Sequence, residues 1–108
     1  MKLIQKHSQY SVDILNQNKI HDPYIVNAVM HHHERFDGSG YPNQLTGDEI
    51  SNFAAILAIC DVFDALTNNR PHRGNYSTFN ALKMMMRDTD MVNKFNQKYL
   101  NIFLKSFL

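Results

Sequence analysis

Residues 32–42 read HHERFDGSGYP, and this stretch sets both the expected fold and the expected chemistry of the chain. It joins two adjacent imidazoles, His32 and His33, to a turn that is rich in glycine. A second stretch at residues 61–71 reads DVFDALTNNRP and opens with the carboxylate of Asp61. Imidazole and carboxylate ligands beside phosphate-binding arginine are the groups that metal-assisted attack on a phosphoester requires.

Length and composition narrow the class of protein. With 108 residues, 44% of them hydrophobic, the chain is expected to form a single domain with one modest core. The formal charge of +1 disfavours general nucleic-acid binding, which needs a basic face. No apolar run is long enough to span a bilayer and no secretory leader is evident, so we expect a cytoplasmic protein without membrane contact. The single cysteine, Cys60, is expected to be a small buried hydrophobe.

The hydrophobic spacing predicts an all-α domain of about five helices, because no segment alternates with a period of two. The first helix covers residues 2–17 and places one apolar stripe along its length: Leu3, Ile4, His7, Ile14 and Leu15. Capping residues mark the later starts, namely Asp22 ahead of Pro23, Ser51 or Asn52, Ser77 and Asn96. Between the second and third helices, residues 35–48 hold three of the four glycines and are expected to form an ordered loop.

The third helix is expected to be the apolar centre of the domain. Its predicted buried face consists of Phe53, Ile56, Leu57, Cys60 and Phe63. Its predicted end is Arg70-Pro71, because the residue before a proline avoids helical backbone angles. The fourth helix is expected to run from Ser77 to Arg87, and the fifth from Asn96 to the C-terminus.

Four side chains could meet around bound cations: His7, His32, His33 and Asp61. Nitrogen and carboxylate ligands suit iron, manganese or zinc, and the absence of thiol ligands argues against a structural zinc site. Two simpler interpretations stay open. His7 on an apolar stripe could be a core histidine, and the histidine run at residues 31–33 could be an exposed polar patch.

The acidic pair on the third helix has a similar ambiguity. Asp61 lies among apolar neighbours, where a carboxylate is costly unless it is paired or bound to a cation. Asp64 follows three residues later on roughly the same helical face. Pairs with this spacing are common, and one of the two could simply face solvent.

Ligand-binding groups are expected on either side of this helix. Tyr41 offers a ring for stacking and a hydroxyl for hydrogen bonding, within a turn whose glycines permit close approach. Arg70, His72 and Arg73 form a small cationic group, and the planar fork of arginine suits phosphate. Alternatively, the glycine-rich segment is a plain tight turn and the cations are solvated.

These motifs together resemble the HD-GYP family of bacterial cyclic di-GMP phosphodiesterases, a branch of the HD metal-dependent phosphohydrolases. Residues 32–42 resemble its first signature, and residues 59–73, ICDVFDALTNNRPHR, resemble its second. Carried over residue by residue, the resemblance implies metal ligands at His7, His32, His33 and Asp61 and substrate contacts from Tyr41, Arg70 and Arg73. It also implies two or three divalent ions, iron or manganese, that hold a hydroxide for attack on cyclic di-GMP.

The sequence departs from that family before His7. The His-Asp pair of the family and its nearby lysine are absent there, and His21-Asp22 comes too late and precedes a proline. A glutamate ligand of some members is absent too, and His72 stands where tyrosine is common. Residues 1–108 are therefore expected to be the C-terminal part of such a domain. Alone, it should bind metal weakly and hydrolyse cyclic di-GMP poorly or not at all.

Two alternatives remain, of which the first is from a different functional class. The chain could be a non-catalytic signalling or protein-interaction module derived from an HD-GYP domain. Its apolar stripes would then dock a partner that supplies the missing N-terminal half, another signalling domain, or a second copy in a homodimer. It could also belong to an HD-type hydrolase that acts on a different cyclic dinucleotide or nucleotide.

Overall fold

The computed structural model describes residues 7–68, 76–88 and 91–107, and for residues 7–10 it describes the backbone only. Five α-helices follow one another: α1 (His7–Gln17), α2 (Pro23–His31), α3 (Asn52–Thr67), α4 (Thr78–Arg87) and α5 (Gln97–Lys105). Two 3-10 turns lie at Gly47–Glu49 and Val92–Lys94. No strand occurs in these described ranges, and Asp37 and Thr46 form an isolated antiparallel bridge. The expected all-α fold with about five helices is confirmed.

The predicted helix starts are confirmed by their hydrogen bonds. Side-chain oxygens of Asp22, Ser51, Ser77 and Asn96 each accept a bond from a backbone N–H two or three residues further on. Each bond satisfies an amide that has no partner inside the first helical turn. Ser51, rather than Asn52, is therefore the cap of α3. The predicted helix end at Arg70-Pro71 lies outside the described residues.

Helix α3 is the centre of the packing, since α2, α4 and α5 all contact it while α1 packs against α2. The main core cluster gathers six buried residues from the second half of the chain: Ile59, Leu66, Ala81, Met85, Phe95 and Leu100. Phe63, Phe103 and Phe107 extend it, with ring centroids 5.3 Å apart in each pair.

None of the helices in the described ranges is long and apolar enough to cross a membrane.

The predicted buried face of α3 is wrong for four of its five residues. Phe53 is 56% exposed, and Ile56, Leu57 and Cys60 are exposed as well. The buried positions are instead Ala54, Ala58, Ile59 and Leu66. The small alanines permit close helix approach, so the larger side chains lie beside the contact rather than within it. They line a groove of about 520 Å³ with residues of α2, called here the α2–α3 groove.

Helix α1 shows a similar difference from its predicted stripe. Val12 is the buried residue, whereas Ile14 is 58% exposed. The side chains of Leu3, Ile4 and His7 lie outside the described part of the chain. Within that part, α1 therefore contributes little to the core and keeps an apolar residue at the surface.

Two neighbouring methionines give a direct test of this packing. Met85 is fully buried, whereas Met86 is 45% exposed on the same helix. We expect Met85→Ala to lower the free energy of unfolding by about 2–5 kcal/mol, because it leaves a cavity in the core. Met86→Ala should change it by less than about 1 kcal/mol. Urea denaturation measures both variants, and equal losses would contradict the described register of α4.

Candidate metal centre

Three side chains from two helices meet at one end of the α2–α3 pair. His32 is the C-cap of α2, His33 follows it, and Asp61 lies inside α3. Each offers one ligand atom, and these atoms all lie within 4.8 Å of one another. Because α2 packs against α3, residues 28 positions or more apart in sequence come together here. Nitrogen and carboxylate donors at this separation could share a divalent metal ion.

A backbone hydrogen bond fixes the orientation of the first imidazole. The Nδ1 atom of His32 lies 2.6 Å from the carbonyl oxygen of Val29. A carbonyl oxygen can only accept, so Nδ1 carries the hydrogen and Nε2 carries the lone pair in the neutral ring. Metal-binding histidines are oriented by the same kind of bond from their second nitrogen.

Ring stacking brings the glycine-rich loop to this site. The His32 and His33 ring centroids are 4.0 Å apart, and the Tyr41 ring stacks on His33 at 4.9 Å with an interplanar angle of 18°. The backbone N–H of Tyr41 also donates to the carbonyl oxygen of His33. Tyr41 is therefore held beside the candidate ligands by both its ring and its backbone.

Buried Glu34 holds the far side of the same loop. Its side chain is 1% exposed, and its two carboxylate oxygens accept from Asn43 N at 2.7 Å and Leu45 N at 2.9 Å. His31 Nδ1 lies 3.3 Å from the same carboxylate. These charge-assisted bonds offset the cost of removing a carboxylate from water. Glu34 has a structural role that was not predicted from the sequence, although its place directly after the two histidines was a signal.

Two glycines let the loop fold back onto the end of α2. Gly38 has a φ of +83°, a conformation that side chains disfavour. A Cβ at Gly40 would lie 2.3 Å from the carbonyl oxygen of His33 and 2.4 Å from the amide nitrogen of Arg35. A larger residue at either position would displace the loop. The peptide bond between Tyr41 and Pro42 is cis. The expectation of an ordered loop is confirmed.

Arg35 is a second residue whose role was not predicted from the sequence. Its Nη1 donates to the carbonyl oxygens of His32 and Glu34, each at 3.1 Å. Burial lowers the pKa of Arg35, while the nearby Tyr41 and Asp61 act in the opposite direction. The guanidinium therefore lies within electrostatic reach of one candidate ligand and of the stacked tyrosine.

The same surroundings act on the hydroxyl of Tyr41. Burial raises the pKa of Tyr41 above its ordinary value, Arg35 opposes that shift, and Asp61 adds to it. Tyr41 is therefore a neutral phenol near pH 7. A neutral phenol can donate a hydrogen bond as well as accept one.

The second acidic residue of α3 has a different environment. Both aspartates are exposed, but the Oδ1 of Asp64 accepts from Asn68 Nδ2 at 2.8 Å. Asp64 does not belong to the group of ligand atoms formed by His32, His33 and Asp61. Of the two aspartates, only Asp61 therefore belongs to this group of candidate ligand atoms.

The remaining sequence-predicted site residues cannot be placed. His7 begins α1, but its side chain lies outside the described residues. Arg70, His72 and Arg73 lie in the segment 69–75, which is also outside them. Their assigned roles therefore stay predictions.

Comparison with known proteins identifies the family. Residues 1–94 match the HD domain family. This chain belongs to the HD domain family. Its members are metal-dependent phosphohydrolases, so a divalent metal ion is the cofactor class that the membership indicates.

The curated relatives of this chain are named as phosphodiesterases of cyclic dinucleotides. The chain is 36% identical over 83 residues to cyclic di-GMP phosphodiesterase PA4108 of Pseudomonas aeruginosa, covering 77% of the chain and 20% of that protein. It is 46% identical over 72 residues to 3'3'-cGAMP-specific phosphodiesterase 2 of Vibrio cholerae, covering 66% of the chain and 14% of that protein. A third relative, the cyclic di-GMP phosphodiesterase response regulator RpfG of Xanthomonas campestris, is 38% identical over 84 residues, which is 76% of the chain and 22% of that protein.

A solved structure shares the fold of this HD domain. Bd1817, an HDG"Y"P protein from Bdellovibrio bacteriovorus, superposes with a TM-score of 0.69 at 24% identity. The match covers 95% of this chain and 32% of Bd1817. The resemblance to the HD-GYP branch is confirmed, and the chain spans about a fifth or less of PA4108 and of the Vibrio cholerae relative.

The role of Glu34 can be tested by exchange of backbone amides. In Glu34→Gln, one acceptor oxygen is replaced by an NH₂ group, so one of the two loop amides loses its partner. We expect amide hydrogen exchange at Asn43 or Leu45 to accelerate about tenfold. The free energy of unfolding should fall by about 1–3 kcal/mol, because that amide loses its acceptor.

The matched control is Glu49→Gln on the same loop. Glu49 is fully exposed, and its Oε1 accepts from Thr46, a bond that the glutamine oxygen can keep. Exchange at Asn43 and Leu45 should not change in this control. If Glu34→Gln leaves both amides as protected as in the parent chain, the bracing role of Glu34 is wrong.

Proposed function

We propose that this chain supplies metal ligands and a substrate-facing loop to a phosphodiesterase that hydrolyses cyclic di-GMP in bacterial second-messenger signalling. The observation that carries the proposal is the convergence of ligand atoms from His32, His33 and Asp61 within 4.8 Å. The names of the curated relatives support the reaction class and the substrate class.

The chemistry divides between the metal and the side chains. Bound divalent ions lower the pKa of a water molecule and neutralise charge that develops on phosphoryl oxygens. His32, which is oriented by its bond to Val29, and Asp61 on α3 would hold the ion. His7 is proposed as a further ligand. The site is proposed to hold two or three metal ions, either iron or manganese.

The substrate is proposed to lie over the loop and the segment after α3. Tyr41 presents a ring and a neutral hydroxyl beside the candidate ligands. Arg70 and Arg73 are proposed to bind the two phosphates, because the guanidinium fork matches phosphate geometry. Such contacts would hold the scissile bond in position for attack.

A second substrate is favoured by one specific observation. Three of the relatives are named as specific for 3'3'-cGAMP. This dinucleotide and cyclic di-GMP share two phosphodiester bonds in one ring, so the same phosphate contacts would serve either. A comparison of hydrolysis rates for the two separates them.

The set of ligands in residues 1–108 is small for such a site. No His-Asp pair precedes His7 in this sequence. We therefore propose that residues 1–108 form the C-terminal part of an HD-GYP domain and that further ligands come from outside them. A partner segment or a second copy could supply these ligands, in which case this chain alone would act as an interaction module.

Two aspartates on one helix test the metal centre. Asp61→Asn should weaken Mn²⁺ binding by at least about tenfold, since even the outer partners of metal ligands are worth 10- to 100-fold. Asp64→Asn should leave the affinity unchanged, because that carboxylate bonds Asn68 instead. Calorimetric titration with Mn²⁺ measures both variants. Equal losses, or none, would contradict the assignment of Asp61.

Hydrolysis gives the complementary readout. We expect the purified 108-residue chain to cleave cyclic di-GMP at least about 100-fold more slowly than an HD-GYP enzyme with its full set of ligands, since the metal must be bound to activate water. Chromatography of the products measures the rate. Full turnover by the chain alone would show that no ligand from outside is needed.

A further inference from the structure

A second groove opens between α4 and α5, away from the candidate metal centre. Both helices pack against α3, and the space between them has a volume of about 720 Å³. The described lining of this α4–α5 groove includes none of His32, His33 and Asp61. Its size falls in the range of ligand and peptide sites rather than of packing defects.

Helix α4 carries two apolar stripes instead of one. Ala81 and Met85 point into the core. Phe79, Leu82 and Met86 form the second stripe, at spacings of three and four residues, and line the groove. A surface helix usually needs only the stripe that faces the core.

The second stripe is open to solvent. Phe79 is 73% exposed, and Met86 and Phe107 are each 45% exposed. Single exposed apolar residues are ordinary, but a contiguous group in a groove is typical of a binding surface.

The charges that line the groove all have one sign. Lys83 and Arg87 lie four residues apart on α4, and Lys105 lies on α5. All three are exposed, and the described residues that line the groove include no aspartate or glutamate. Among the described residues, no carboxylate forms an ion pair with any of these three cations.

We propose that the α4–α5 groove binds an amphipathic helix with acidic flanks from a partner protein. Its apolar residues, at positions i, i+3 or i+4 and i+7, would lie on the second stripe of α4. Its carboxylates, also four residues apart, would face Lys83 and Arg87 on one wall and Lys105 on the other. Helix α4 has 10 residues, which is about 15 Å or nearly three turns, so a partner of that length fits.

The shape of the surface favours a helix over an anionic membrane. The apolar side chains line a groove between two helices, and a protruding ridge of side chains fits such a groove. A lipid surface would instead contact apolar residues that project outwards on one face. The proposal is independent of the phosphodiesterase function, since it uses no residue of the metal centre.

The test uses a synthetic peptide of about 14 residues, with leucine and phenylalanine on one helical face and glutamate on both flanks. A second peptide has lysine in place of every glutamate. Fluorescence anisotropy should give binding of the acidic peptide to the 108-residue chain that is at least about tenfold tighter than that of the basic peptide. Raising the salt from about 50 to about 300 mM should weaken it, because the rim charges are exposed.

Variants of the chain locate the binding. The double variant Lys83→Glu, Lys105→Glu should bind the acidic peptide at least about tenfold more weakly than the parent chain. Phe79→Ala should also lower the affinity for this peptide. The matched control is Lys98→Glu, an exposed lysine on α5 that does not line the groove. It should leave the affinity within about twofold, since a distant exposed charge is screened. Circular dichroism checks that each variant folds.

Three outcomes would overturn the proposal. The first is equal affinity for the acidic and basic peptides, or no binding of either. The second is acidic-peptide binding that Lys98→Glu weakens as much as the groove variants do. The third is co-sedimentation with vesicles of phosphatidylglycerol and phosphatidylcholine in the absence of peptide binding, which would make the groove a lipid contact.

Discussion

The packing of α2 against α3 is the contact on which the candidate site depends. The two helices hold an imidazole pair at the end of one and a carboxylate within the other, so that their ligand atoms fall within 4.8 Å. Small buried residues, Ala28 on α2 and Ala54 and Ala58 on α3, are found along these helices. Larger residues there would separate the helix axes and with them the ligands.

The loop that follows the histidines is positioned by its own polar contacts. Glu34 accepts two amides of the loop, and Tyr41 stacks on His33. A bond from His32 to Val29 orients the neighbouring ring. The motif of residues 32–42 therefore does two jobs, since some of its residues are candidate ligands and others hold the loop beside them.

Much of this could be predicted from the sequence, and the limits have physical causes. Helix starts at Asp22, Ser51, Ser77 and Asn96 are local events, so capping chemistry located them. The buried face of α3 is decided by which helices contact it, and periodicity alone ranked large apolar residues ahead of Ala54 and Ala58. The same limit applies to Cys60, which is exposed although its sequence neighbours are apolar.

The candidate site, too, could be predicted only in part from the sequence. His32, His33 and Asp61 were singled out because their ligand chemistry is specific, and the structure brings them together. Glu34 went without a role because its importance lies in bonds to amides nine and eleven residues away, and Arg35 because its bonds to nearby carbonyls depend on how the chain turns after α2. Nothing in residue spacing shows that a carboxylate is buried or which backbone amides it accepts.

Two apolar grooves are open on the described part of this chain. The α2–α3 groove adjoins the candidate metal centre through Val29 and Cys60, whereas the α4–α5 groove is separate and basic at its rim. A covering element at the first would bury large exposed residues such as Phe53 and could bring further ligands. The second differs because three cations line it, and these are proposed to favour an acidic partner.

The most direct test is a crystal structure of the chain grown with Mn²⁺, with diffraction collected at the manganese absorption edge. We expect an anomalous peak about 2.0–2.3 Å from a ring nitrogen of His32 or His33 and from a carboxylate oxygen of Asp61. A structure at saturating Mn²⁺ with no peak among these three side chains, or with their ligand atoms dispersed, would contradict this expectation.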